Sequence, residues 1–179
     1  GVTNIQVDAA GTGSVVNAAD GAALSAFTAD IEFDVVDNAA GLIAEMGGAD
    51  VAGHLTEANS ITVDSDGQGS SVVNANDGAI LAGFTADVDF DVVDNANAVA
   101  AEITGAGNGL GDLDEAADVV VISGDVNTAD AAAIQQISEY NASGSDYEIT
   151  DNAAAVISAG NSVIENDGVS RIEVTGDAT

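Results

Sequence analysis

This chain repeats itself, and the period of the repeat limits the folds open to it. The string SVVNAADGAALSAFTADIEFDVVDNA at 14–39 returns as SVVNANDGAILAGFTADVDFDVVDNA at 71–96, an offset of 57 residues. A third, eroded copy keeps the spacing. Phe33, Phe90 and Tyr147 are 57 apart, and so are Asp37, Asp94 and Asp151, each followed by Asn-Ala. Self-similarity at a fixed period marks an array in which each unit covers the apolar face of the next. The chain divides into repeat 1 (1–58), repeat 2 (59–116) and repeat 3 with a terminal strand (117–179), read together as one continuous domain.

Each copy halves again. Short alternating segments recur at NIQVD (4–8), DIEFDVV (30–36), SITVD (60–64), DVDFDVV (87–93), DVVVI (118–122), DYEIT (146–150) and RIEVT (171–175). Alternation of this kind, rich in β-branched and aromatic residues, predicts strands. The Ala-rich stretches between them carry Leu, Ile and Phe at spacings of three and four, which predicts short helices. The unit is one strand and one helix in about 28 residues, paired as 57. Strand, helix, strand with one polarity builds a parallel sheet. Phe33 and Val35 alternate with Glu32 and Asp34, so one face of the sheet is expected under helices and the other wet. The fold class is therefore α/β, a repeat solenoid of about six strand–helix units. A closed barrel, a doubly wound sheet and a coil with two strands per 57 residues are the alternatives.

Helix starts are written regularly. Asn17 and Asp20, Asn74 and Asp77, and Asn127 and Asp130 each form Asn-x-x-Asp. In this variant of the capping box, Asn accepts from a free amide and the carboxylate faces the positive end of the helix dipole. The alternate helices begin Asp-Asn-Ala at Asp37, Asp94 and Asp151, where the Asp itself can serve as the cap.

Charge sets the next constraint. The chain has 31 Asp or Glu against a single Lys or Arg, a net charge of -30, with no Cys and no Pro. Nucleic acid and anionic membrane surfaces are excluded as partners because both demand clustered Lys and Arg. No apolar run is long enough to span a bilayer, and Gly1 opens without a signal peptide, as expected of a processed or excised piece. A single histidine, His54, and the absence of Cys leave no zinc site and no nucleophilic triad, and no enzyme is expected.

Stacked repeats bring equivalent carboxylates within about 5 Å of one another. Each such pair repels by about 0.8 kcal/mol in bulk water and about 3 kcal/mol at an effective dielectric near 20. Salt or a divalent cation is expected to relieve this, and calcium suits carboxylate and amide oxygens. The loop VDSDGQGS (63–70) offers Asp64, Asp66 and Gln68 at alternate positions around Gly67, like the start of an Asp-x-Asp-Gly calcium loop. Its counterpart VDAAGTGS (7–14) keeps Asp8. Asp37, Asp94 and Asp151 are the other candidate ligands, as helix caps, cation ligands or both.

The segments VVDNAAGLIAE (35–45), VVDNANAVAAE (92–102) and EITDNAAAVIS (148–158) resemble the tandem strand-and-helix repeats of giant secreted bacterial surface proteins. Many of those are adhesin-like and carry hemolysin-type calcium-binding repeats. This chain has Asn where that family commonly has Thr, and Gly41, Ala98 and Ala155 where Asn is usual. The Gly-Gly-x-Gly-x-Asp signature of the calcium β-roll is absent. The resemblance implies an extracellular, calcium-responsive structural array. The function expected is a self-assembling structural module of a cell-surface or matrix protein, a filament subunit among its forms, with further copies of itself and calcium as partners. The alternatives are an adhesin domain holding a glycan on its acidic face and a halophile surface protein.

Overall fold

The computed structural model describes residues 4–7, 14–27, 30–46, 55, 57–83, 88–105 and 113–176. The elements run β1 (Asn4–Gln6), β2 (Val15–Val16), α1 (Ala18–Ser25), β3 (Asp30–Glu32), β4 (Asp34–Asp37), α2 (Ala39–Met46), β5 (Ser60–Val63) and β6 (Val72–Val73). They continue with α3 (Ala75–Leu81), β7 (Val88–Asp89), β8 (Asp91–Asp94), α4 (Ala96–Thr104), β9 (Asp118–Val121), β10 (Asp125–Val126) and α5 (Thr128–Ile134). A 3₁₀ turn (Ala142–Gly144), β11 (Tyr147–Asn152), α6 (Ala153–Ala159), α7 (Asn161–Ile164) and β12 (Val169–Thr175) complete the order. The protein is α/β with parallel strand pairing. The chain divides into two compact units, Gly1–Val73 with Ile80–Phe90, and Asn74–Ala79 with Asp91–Thr179.

In the first unit β3 and β4 are one extended stretch interrupted at Phe33. β1 pairs with its first half, Ile5 opposite Ile31, and β2 with its second, Val16 opposite Val35. β4 then pairs with β5, Asp34 opposite Ser60 and Asp37 opposite Val63, and β5 with β7, Ile61 opposite Val88. The two-piece strands differ from the unbroken segments expected from sequence. At Phe33 the ladder passes to its neighbours through main-chain bonds, Asp34 N–H to Ser14 O at 2.9 Å and Asn59 N–H to Phe33 O at 2.8 Å. The alternation falls as the residue types require. Ile31, Phe33, Val35, Ile61 and Val63 are buried, while Glu32 and Ser60 are exposed.

Helix α1 lies close against that apolar face because it carries glycine where the chains meet. A Cβ on Gly21 would fall 2.8 Å from Val35 Cγ2 and 3.2 Å from the Phe33 ring. Deleting a methyl at the contact lets the helix approach the sheet, and the neighbouring Leu42 and Leu55 are buried with it.

In the second unit β8 pairs with β9, Val92 opposite Val119, and β10, β11 and β12 form a parallel sheet, Val126 opposite Ile149 and Ile149 opposite Ile172. Helix α5 packs between α4 and α6 and against β11. Its Ala131 occupies the position Gly21 holds in α1 and is fully buried. Partners lie 27 residues apart between β8 and β9 (Asp91 and Asp118) and 23 apart later (Asp125 and Glu148, Glu148 and Arg171). β9 reaches β10 through residues 122–124 alone, turning at Gly124 with φ +107° and only 3.0 Å from Ala96 N for any added Cβ.

Tyr147 stands where the other repeats have Phe33 and Phe90, and all three are buried. Its hydroxyl therefore needs a partner, and Gln135 Nε2 donates to it at 2.7 Å while also donating to Val163 O at 3.1 Å. The Tyr140 hydroxyl donates to Asn166 Oδ1 at 3.1 Å. Burial, with the adjacent Tyr147, pushes the Tyr140 phenol far above its ordinary range. Among the described residues no helix is long and apolar enough to cross a membrane.

Candidate functional site at the aspartate ladder

The residues that recur most faithfully are Asp37, Asp94 and Asp151, and their chemistry follows from where the strands end. Each lies at or next to the last position of β4, β8 or β11. Oδ2 reaches back to the first amide of an earlier helix: Asp37 accepts from Ala18 N–H at 3.0 Å, Asp94 from Ala75 N–H at 3.0 Å, and Asp151 from Thr128 N–H at 3.1 Å. Thr128 Oγ1 adds a bond to Asp151 at 2.8 Å. Oδ1 turns forward and accepts the N–H of the next residue, Asn38, Asn95 or Asn152, at 2.7–2.8 Å. The amide nitrogen of the same Asn donates to it as well. One carboxylate thus ties the start of one helix to the start of the next. First-turn amides have no intrahelical acceptor and carry the positive end of the dipole, so an anion is the natural partner.

The caps divide differently from the sequence expectation. Asn38, Asn95 and Asn152 are the N-caps of α2, α4 and α6, with Oδ1 accepting from Gly41, Ala98 and Ala155 N–H at 2.9–3.0 Å. The preceding Asp is still strand and faces the earlier helix. In the other set Asn17, Asn74 and Asn127 accept from Asp20, Asp77 and Asp130 N–H at 2.8–2.9 Å. Their Nδ2 groups donate back to those carboxylates at 2.8–3.0 Å, closing a reciprocal box. The Asp151 carboxyl is held below its ordinary range, first by the Thr128 hydroxyl, then by the Thr128 and Asn152 amides.

The loop 64–70 is organised around its own amides. Asp64 Oδ1 accepts from Gly69 N–H at 2.8 Å, and Asp66 Oδ1 accepts from Gln68 N–H at 2.8 Å and Ser70 N–H at 3.2 Å. Gly67 and Gly69 supply the positive φ angles, +71° and +92°. The Gly69 amide is the main reason the Asp64 carboxyl titrates below its ordinary range. Gln68 takes part through its main-chain N–H, while its side chain is exposed. A shallow depression of about 410 Å³ brings Asp37, Asp64 and Asp66 to one rim. Both oxygens of Asp37 and one oxygen each of Asp64 and Asp66 already accept amide bonds. Among the described residues no group of three or more His, Cys, Asp or Glu is placed to hold a metal. Asp8 and His54 lie outside the described residues.

A second row of partners was not anticipated from sequence. Asp34 accepts from Ser14 Oγ at 3.0 Å and from Ser60 Oγ at 2.9 Å, so hydroxyls just before β2 and at the start of β5 share one carboxylate. Asn141 Nδ2 donates to Asp118 at 3.1 Å in the same spirit. Ser14 stands just before β2 and Ser60 opens β5, both beside Asp34, and that placement is the trace they leave in the sequence. Arg171 binds Glu148 at 2.9 Å and Glu173 at 3.0 Å. The chain matches no protein-family model, and comparison with curated proteins and with solved structures finds no match.

Proposed function

We propose that this chain is a structural repeat module, about six strand–helix units stacked as one solenoid, belonging to a cell-surface or extracellular matrix protein. The observation that carries the reading is the use of the repeated acids. Asp37, Asp94 and Asp151 spend their oxygens on helix starts in the same way each time, and so serve the array rather than a substrate. Work of this kind is mechanical: each carboxylate couples one unit to the next, and neighbouring units supply what a thin Ala- and Gly-rich unit cannot supply alone. No catalytic role is assigned to any residue.

Ions belong to the proposal because 31 acids face one strong cation. Salt screens the charge, and calcium, drawn to the acidic faces, is first sought at Asp64 and Asp66. The test is a pair of thermal melts followed by circular dichroism, in EDTA and in millimolar calcium at matched ionic strength. A rise of tens of degrees with calcium supports specific sites. Equal melts would remove calcium and leave amides and hydroxyls as the partners of the ladder.

A further inference from the structure

The dipeptide Asp-Gly occurs four times, at Asp20-Gly21, Asp66-Gly67, Asp77-Gly78 and Asp167-Gly168. It carries a chemistry of its own. The glycine amide has no side chain beside it and can reach the preceding carboxyl to close a five-membered ring. By sequence the four pairs are equivalent, and the fold separates them.

Two of them lie at helix starts. Gly21 N–H donates to Asn17 O and Gly78 N–H to Asn74 O, both at 2.9 Å, in the opening turns of α1 and α3. The Asp20 and Asp77 carboxylates are pinned as well, by the Nδ2 groups of Asn17 and Asn74 at 3.0 and 2.8 Å. Neither amide can turn onto its carboxyl without opening the helix start. At the third pair Gly168 is buried, its N–H donates to Asn166 Oδ1 at 3.0 Å, and the Tyr140 hydroxyl lies where a Cβ would stand.

Asp66-Gly67 differs in each respect. Residues 65–69 are exposed and belong to no helix or strand. Gly67, at φ +71°, has open space around it, with nothing within 4 Å of the place a Cβ would take. Its N–H faces the Asp64 carboxylate, an acceptor for the proton that ring closure removes. Asp66 Oδ1 accepts from Gln68 and Ser70 N–H at 2.8 and 3.2 Å. Two main-chain donors on that oxygen suit the charge it gains when the carboxyl carbon is attacked.

We propose that Asp66-Gly67 is a site of self-modification in the folded chain, converting to isoaspartate through a cyclic imide. Gly67 N attacks Asp66 Cγ, and Oδ2, with the amide proton and one from solvent, leaves as water. Water then adds at the main-chain carbonyl of Asp66 and opens the imide. The chain now runs through Cγ, and the former main-chain carbon becomes the free carboxylate. Mass and charge are unchanged, and water is the only other reactant. The backbone gains one carbon between Asp66 and Gly67, which reshapes the rim that Asp66 forms with Asp37 and Asp64.

The full chain is held warm at mildly acidic pH in EDTA, folded in one series and in concentrated urea in another, then digested with pepsin. Isoaspartate is located by electron-transfer fragmentation. Deamidation at Asn108-Gly109, outside the described residues, is set apart because it changes the mass. In the folded chain isoaspartate is expected at Asp66 at least about tenfold faster than at Asp20 or Asp77, where a main-chain bond, about 1.4 kcal/mol, has to open first. In urea the four sites should convert at similar rates. Asp66→Glu would have to close a six-membered ring, so it should remove the signal at that position and keep the parent spectrum. Folded Asp66 converting no faster than Asp20 and Asp77 overturns the proposal, as does a folded chain in which none of the four converts. So does the same order of rates in urea, which would assign the selection to local sequence.

Discussion

Asp151 accepts from two atoms of Thr128 and two of Asn152, and a carboxylate so engaged is hard to protonate. Its folded pKa is depressed, so its contribution to stability is complete above the ordinary carboxylate range and disappears as pH falls through the lowered value. Replacing it with Asn keeps the shape but presents one amide oxygen and an NH₂ to donors that expect an anion. Asp151→Asn should lower the melting temperature by several degrees at pH 7, and the gap to the parent should narrow towards zero as pH drops below about 4. Melts at stepped pH check this. The caps at Asn17, Asn74 and Asn127 were legible because each is a relation within four residues. The bond from Asp37 to Ala18 was not, since it spans nineteen residues and depends on where a strand stops relative to a helix in the folded unit. Whether Asp or Asn caps α2, α4 and α6 was equally hidden, because both side chains suit the position and only the strand end decides.

Helix α1 turns on one missing methyl group. Alanine favours helix over glycine by roughly 1 kcal/mol, so Gly21→Ala would stabilise an isolated α1. In the folded unit the new Cβ meets Val35 at 2.8 Å and Leu55 at 3.1 Å, and overpacking of this kind costs about 1–3 kcal/mol. Net destabilisation by chemical denaturation is the expected outcome, and a more stable variant would show that α1 can back away from the sheet. The alternation of Phe33, Val35 and Asp34 was enough to read which face is buried. The break that makes β3 and β4 separate elements was not readable, because it arises from ladder register and leaves no mark in residue type. Tyr147 shows a third kind of limit. Its place in the core follows from the 57-residue spacing, but the partner its hydroxyl needs, Gln135, is the C-cap of a helix whose sequence has drifted from the other copies. Tyr147→Phe should cost about 1 kcal/mol by removing one of the two acceptors of the half-buried Gln135 amide, Val163 O remaining as the other.

Across the whole molecule the balance is between amide and hydroxyl partners for individual acids and the repulsion of all of them together. Hydrogen bonds such as those from Ser14 and Ser60 to Asp34 fix a carboxylate without removing its charge. The net charge of -30 therefore persists in the fold, and screening it should stabilise the protein. Raising NaCl from about 0.01 M to about 1 M shortens the Debye length from roughly 30 Å to 3 Å. The melting temperature should climb across that range, and sodium and potassium should act alike. A flat response would mean that the compact state spaces its acids no closer than the unfolded chain does. The link between β9 and β10 needs only residues 122–124, whereas the stretch between β5 and β6 runs from 64 to 71 with its turn folded on its own amides. A repeat that tolerates both lengths makes that bend an insertion point, where a foreign peptide could be grafted and displayed while the strands beside it keep their pairing.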